Sequence, residues 1–399
     1  MKRLLFSGGS VLDVASGAVA RADVVVAGDR VAAVGAGLDG DEAVDCAGQL
    51  VVPGFIDCHT HVTLAASRDE PFTLPRSARV LSAVPVLRTL LGLGVTTVRD
   101  AWGADAGTRL AVRRGWVEGP DILVSLRQVS TTGGIGDHWS PRLGPVDFFG
   151  DPALPDPVFD GADGARAVVR RMVRAGADWI KVAATGSMAA GGGVTDRRIT
   201  PAEMAALVDE AERQGGRGVM VHAHGARAAE EAARAGARSV EHGVFLDEAA
   251  VAAMAEAGTW LVPTLSVTQP RPPGQEADPG AEFEAGDDVE AHAAAHRASV
   301  RLAAEAGVRI AMGTDSPVRP HGEALSEIAH LAGPGGLGAA GAFRAATLEA
   351  ARLLGLADDR GEIAAGKRAD LVLLDGEGLD TAGLAGRVRG VWRDGRRVA

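Results

Sequence analysis

From Gly54 onward, short apolar runs alternate with Ala-, Arg- and Glu-rich stretches of helical character, and few folds accommodate that rhythm. The runs fall at 54–58, 96–100, 121–126, 178–183, 218–222, 238–242, 259–265 and 309–314. Helix-period stretches lie between most of them, for example 201–214, 226–235, 247–257 and 289–306. A strand that must return parallel to its neighbour needs a long crossover, and a helix is the usual one. Eight such units predict an α/β fold, a closed (β/α)8 TIM barrel, with an open doubly wound sheet as the alternative. Four helical stretches end in Ala-Gly just before the next run: Ala175-Gly176, Ala235-Gly236, Ala257-Gly258 and Ala306-Gly307. Glycine stops a helix there because it takes positive φ without a Cβ clash.

The two ends of the chain read differently. Residues 4–6, 11–13, 23–27, 30–34 and 49–52 are short β-type runs separated by Gly and Asp turns, and no helix-period stretch interrupts them. After a helical patch at 340–354, residues 367–375 and 389–398 again look like strands. A barrel takes roughly 250 residues, so a chain of this length has room for a companion. The expectation is a composite β-sandwich from 1–53 and 365–399 around a barrel spanning 54–364. Two stretches rich in Gly, Pro and acids, 130–164 and 269–288, follow the third and seventh runs and are expected to act as lids or binding loops.

Charge narrows the function. Lys+Arg 41 against Asp+Glu 52 gives a net charge of −11, with no Lys/Arg-rich run. That argues against nucleic acid or an anionic membrane and for a small-molecule substrate. No window approaches the roughly 20 apolar residues of a membrane span, and the opening residues lack the apolar core of a secretory signal. Two cysteines, Cys46 and Cys58, cannot make a disulfide framework. The expectation is a cytoplasmic protein. A homo-oligomer is compatible with the sequence but is not read from it.

The polar residues of interest sit at the ends of the runs, where barrel enzymes build their sites. The first run ends Asp57-Cys58-His59-Thr60-His61, and alternation puts Asp57, His59 and His61 on one face. Two imidazoles at i and i+2 either bind one metal ion or are simply hydrogen-bonded. Lys181 lies inside the apolar run Ile180-Lys181-Val182. Burial would make its amine neutral, able to add CO₂ as a carbamate that bridges two cations. The other reading is a buried stem with its head in solvent. The fifth run ends His222-Ala223-His224, the sixth Glu241-His242, and the eighth Thr314-Asp315. In that last run Ala311, Gly313 and Asp315 share a face, leaving room beside the carboxylate. Together these donors suit Zn²⁺ or a similar divalent ion.

With these motifs the sequence resembles the amidohydrolase superfamily, in its imidazolonepropionase-like and prolidase-like (metal-dependent dipeptidase) branch. The resemblance covers nearly the whole chain. It rests on Pro53-Gly54-Phe55-Ile56-Asp57-Cys58-His59-Thr60-His61, Ile180-Lys181-Val182, His222-Ala223-His224-Gly225, Ser239-Val240-Glu241-His242-Gly243, Gly313-Thr314-Asp315 and Gly366-Lys367-Arg368-Ala369-Asp370-Leu371-Val372. It implies two divalent ions, zinc first among them, and hydrolysis of an amide, peptide, carbamate or cyclic amide C–N bond by metal-activated hydroxide. His59, His61 and Asp315 would hold one ion. Lys181, carboxylated, would bridge to a second held by His222 and His242. Asp315 would also shuttle the proton, and His224 would polarise the carbonyl or support a ligand. Related dipeptidases carry a substrate-contacting histidine in the third loop where this chain has Ile135, and His138 is the candidate substitute. Trp139, Arg142 and Trp260 could line the pocket, although packing or surface roles suit them better. A lactonase or esterase would use the same site. A mononuclear deaminase would carry Glu at Gly225 and lack the lysine, and a metal-free scaffold would have lost ligands that are all present here.

Overall fold

The computed structural model describes residues 2–64, 74–147, 151, 154–187, 193–270 and 289–399. Seven strands open the chain: β1 (Arg3–Ser7), β2 (Ser10–Asp13), β3 (Ala18–Arg21), β4 (Asp23–Ala27), β5 (Arg30–Gly35), β6 (Glu42–Asp45) and β7 (Gln49–Pro53). Next come β8 (Phe55–Thr60), β9 (Val95–Asp100), β10 (Asp121–Val124), β11 (Gln128–Val129), β12 (Trp139–Ser140) and β13 (Gly144–Pro145). They are followed by β14 (Ile180–Ala183), β15 (Val219–Gly225), β16 (Ser239–Phe245) and β17 (Trp260–Val262), then β18 (Leu371–Asp375), β19 (Val388–Arg393) and β20 (Arg396–Arg397). The class is α/β, as expected. Strands β3 and β6 were not legible in advance, because they are short and mostly exposed and so carry no apolar run.

Strands from the two ends of the chain share one sheet, ordered β20-β19-β18-β7-β2-β3, in which β7 and β18 pair antiparallel from Pro53↔Leu371 to Gln49↔Asp375. A second sheet, β5-β4-β1-β6, belongs to the N-terminal segment. Phe6, Val24, Val26, Val51, Leu371, Leu373 and Trp392 form a common apolar cluster, in which Phe6 meets the Trp392 ring edge-on at 4.8 Å.

The central strands are parallel, in two groups ordered β10-β9-β8 and β11-β14-β15-β16-β17. The groups meet at Val124, whose carbonyl accepts from Asp178 N at 2.8 Å, just before β14. Between β10 and β11 the chain kinks at Leu126, which has φ 68. Residues 309–316 run between β17 and β8. Ala311 N donates to Leu261 O at 3.0 Å, Cys58 N to Met312 O at 2.9 Å and His61 N to Ser316 O at 2.8 Å. The eighth run, expected as a strand over 309–314, contains only an isolated bridge at Ile310, with another just beyond it at Ser316. Its ladder is interrupted because Met312 N turns away to Ala345 O at 3.0 Å.

The crossover helices pack by their apolar stripes. Helix Gly161–Arg174 buries Ala165, Val168, Val169 and Met172, the spacing that puts side chains on one face. The capping box of helix Pro201–Arg213, Thr200 with Glu203, is complete. All four Ala-Gly stops hold a positive-φ glycine, at Gly176, Gly236, Gly258 and Gly307. No helix among the described residues is long and apolar enough to cross a membrane.

Candidate metal centre

Each residue singled out at the run ends reaches one region at the C-terminal ends of the parallel strands. The backbone there is strained. Leu126, His242, Thr264 and Asp315 all have positive φ, at 68, 70, 50 and 54°. Non-glycine residues adopt that conformation at a cost, and such residues cluster at functional sites.

His59 and His61 leave β8 on one face. The Nδ1–H of His59 donates to Glu241 Oε2 at 2.7 Å, and that of His61 to the Trp102 carbonyl at 3.0 Å. Both Nε2 atoms therefore face inward, 3.2 and 3.0 Å from Asp315 Oδ1. Donor atoms of His59, His61 and Asp315 lie within 4.8 Å of one another. Lys181 Nζ is 3.5 Å from His59 Nε2, at the bottom of the same space. Burial brings the lysine down to about 8, against the opposing pull of Glu241 and Asp315. Asp315 is held well below the usual carboxylate range: burial would raise it, and His59 and His61 outweigh that.

The other side is made by β15 and β16. His222 donates from Nε2 to the Gly186 carbonyl at 3.0 Å, which leaves Nδ1 for the interior. His242 bonds through Nδ1 to Thr264 Oγ1 at 2.8 Å, which leaves Nε2. The two rings are 4.5 Å apart, and His242 is 5.0 Å from His59. His224 packs 4.6 Å from His222 and 5.0 Å from His242, and its buried Nδ1 has no hydrogen-bond partner among the described residues. Burial drops His222 to about 3 and pulls His224 and His242 well below 6.5, so all three rings are neutral. Four histidines thus each have one nitrogen anchored outward and one left for an ion, beside a carboxylate and a lysine. That donor set fits divalent cations.

Sequence reading missed the groups behind these donors. The Arg99 guanidinium is fully buried. It bonds the Glu241 carboxylate at 3.0 and 3.1 Å and Cys58 O at 2.6 Å, and lies 4.5 Å over the Trp179 ring. Burial would raise Glu241, but Arg99 and His59 hold it at about 2. The only signal was a charge inside each of two apolar runs. Asp57 does not join the donors. It accepts from Thr314 Oγ1 at 2.7 Å and His59 N at 3.0 Å, bracing β8 against the eighth segment. His138 stacks on Trp102 at 5.9 Å, and Trp102 meets His61 edge-on at 6.2 Å. Trp139 and Arg142 are exposed. Trp260 is buried at the opposite strand end between Arg238 and Arg309, a packing role. Most of 269–288 lies outside the described residues, as does part of 130–164.

Polar donors gathered at the C-terminal ends of parallel strands mark the face where a TIM-barrel-type α/β enzyme builds its active site. The chain belongs to the amidohydrolase family, whose model matches residues 50–398. It is 30% identical over 348 residues to Aspergillus niger ochratoxinase, covering 83% of this chain and 71% of that protein. It is 28% identical over 414 residues to imidazolonepropionase of Syntrophobacter fumaroxidans, covering 92% of this chain and 86% of that protein. Among solved structures it resembles a prolidase complexed with N-methylphosphonate-L-proline, with a TM-score of 0.87, 35% identity and 99% of both chains covered. A Xaa-Pro dipeptidase with bound methionine matches with a TM-score of 0.86, 30% identity and 99% of both chains covered. The protein is a hydrolase acting on carbon–nitrogen bonds.

Proposed function

We propose that this chain is a binuclear, zinc-dependent amidohydrolase cleaving an amide- or peptide-type bond in a small molecule. In this reading residues 54–364 form a closed (β/α)8 barrel and residues 1–53 and 365–399 its composite β-sandwich. His59, His61 and Asp315 would hold one ion and His222 and His242 the second, and Lys181, as a carbamate, would be a ligand to both. The observation that carries the reading is the outward anchoring of one nitrogen on each of four histidines around Asp315 and a buried lysine.

Divalent ions so held supply an acidified water and an electrophile for the carbonyl. The chain does the rest. Asp315 accepts the proton of the attacking water and returns it to the leaving amine nitrogen. His224, neutral and packed beside His222 and His242, would donate from Nε2 to the carbonyl oxygen as charge builds there. Glu241, locked by Arg99, keeps His59 in the tautomer that points Nε2 inward. His138 and Trp102 form an aromatic wall beside His61, in place of the loop histidine absent at Ile135.

The prolidase-like neighbours make Xaa-Pro dipeptides and N-acyl amino acids the first substrates to test. Zinc-loaded enzyme is to be assayed on these, on carbamates and on lactones. The reading expects C–N cleavage that disappears on chelation and returns with zinc. Turnover of lactones or esters alone would overturn it.

A further inference from the structure

Two buried histidines stand outside the donor set and take no part in the chemistry above. His296, on helix Val289–Glu305, is 0% exposed, and its Nε2–H donates to the backbone carbonyl of His242 at 3.0 Å. His321, at the start of the 3-10 turn His321–Glu323, is 8% exposed, and its Nε2–H donates to the backbone carbonyl of His61 at 3.2 Å. A carbonyl oxygen only accepts, so each ring must carry its proton on Nε2.

The two bonds fall on different halves of the site. His242 sits at φ 70, and a residue in that region keeps its conformation only when its surroundings over-determine it. Its ring leans on Thr264, in the turn that continues to Thr268, and Thr268 Oγ1 lies 2.9 Å from His296 Nδ1. One imidazole therefore grips both the carbonyl of His242 and the turn that orients its side chain. On the other side, His61 lies between His321, which holds its carbonyl, and Ser316 O, which accepts its N–H at 2.8 Å.

We propose that His296 and His321 are positioning residues, each serving one half of the centre: His296 the His222/His242 half, His321 the His59/His61/Asp315 half. This rests on the binuclear reading above. Losing an outer-shell partner typically lowers metal affinity 10–100-fold, so the effect should be large and one-sided.

Stepwise zinc affinities, measured with a competing chelator and checked by elemental analysis, test it. In His296→Leu one of the two constants should weaken about 10–100-fold with the other unchanged, and in His321→Leu the reverse. His296→Phe and His321→Phe keep a flat ring without the donor and should behave alike. His296→Gln and His321→Gln retain an N–H and should recover much of the loss. Equal weakening of both constants in each variant, or no weakening, would overturn the proposal. Metal-free crystal structures provide a readout without any ion: the His242 ring should leave Thr264 in His296→Leu and stay in His321→Leu. Those displacements in a protein that takes up no zinc would sink the metal reading and leave the positioning intact. Unmoved rings together with two retained ions would do the opposite.

Discussion

At the residue scale the account turns on groups whose charge is decided by burial. Lys181 is the clearest, a primary amine with 1% exposure and a pKa near 8. Lys181→Ala should lose bound metal and at least about 100-fold in turnover, as removal of a metal ligand does. Full metal occupancy in that variant, read by elemental analysis, would remove it as a bridge. Glu327 is a second case, not itself a donor, which bonds the turn just after Thr264, the anchor of His242. It is fully buried and accepts from Leu265 N and Ser266 N at 2.7 Å each, and burial raises it to about 7. The native state holds its proton more tightly than the unfolded chain does. Its contribution to stability is therefore intact below pH ~4.5 and is lost as pH rises through 7. Between pH 5 and 8 the wild type should lose on the order of 5 °C of melting temperature relative to Glu327→Gln. Parallel melting curves for the two proteins would refute this. The donors were legible because the histidines and Asp315 fall at the ends of apolar runs and Lys181 puts a charge inside one. The outward anchors were not: that Arg99 reaches Glu241, or His296 the carbonyl of His242, depends on which segments pack side by side.

At the element scale the strands and glycines set how closely the donors approach. The sequence reading assigned Gly313 to leaving room beside Asp315. In the structure a Cβ there would meet His59 Cβ at 2.8 Å and the Val262 side chain, so glycine lets the eighth segment lie against β8. Gly313→Ala should destabilise the protein by about 1–3 kcal/mol and weaken metal binding, because His59 must move. A denaturant midpoint and zinc affinity both equal to wild type would contradict that. The helix stops were readable from Ala-Gly alone, since positive φ is a local requirement. The interrupted eighth strand was not, because Met312 N is diverted by Ala345, 33 residues on. Strands β3 and β6 escaped for the opposite reason: edge strands need no apolar pattern.

At the scale of the whole molecule, the terminal segments are tied to the central sheet by charge as well as by apolar packing. Asp121, which opens β10, meets Arg360 at 2.8 Å, Arg368 at 2.7 Å and Arg393 at 2.8 Å. These residues come from the link before β18, the approach to β18 and the end of β19. Asp121→Asn would remove the carboxylate that three guanidiniums share, leaving Arg360 with Asp359, Arg368 with Asp359 and Asp394, and Arg393 with Asp394. The cost should be on the order of 2–3 kcal/mol, less than for a fully buried pair because the carboxylate keeps 21% exposure. Zinc content should stay that of the wild type, since the network lies at the opposite strand ends from the donors. Loss of zinc without loss of stability would show the reverse coupling. The pairing of the two ends was foreseeable from β-type runs flanking the alternation, whereas this ion network was not, because Asp121 is more than 200 residues from each of its three partners.

The most direct test is a crystal structure of the wild-type enzyme grown with zinc, with anomalous scattering recorded at the zinc edge. Two peaks per chain are predicted, one bounded by His59, His61 and Asp315 and the other by His222 and His242, with continuous density from Lys181 reaching both. A single peak, or none with the imidazoles still bonded as described, would contradict the binuclear centre on which the proposed chemistry stands.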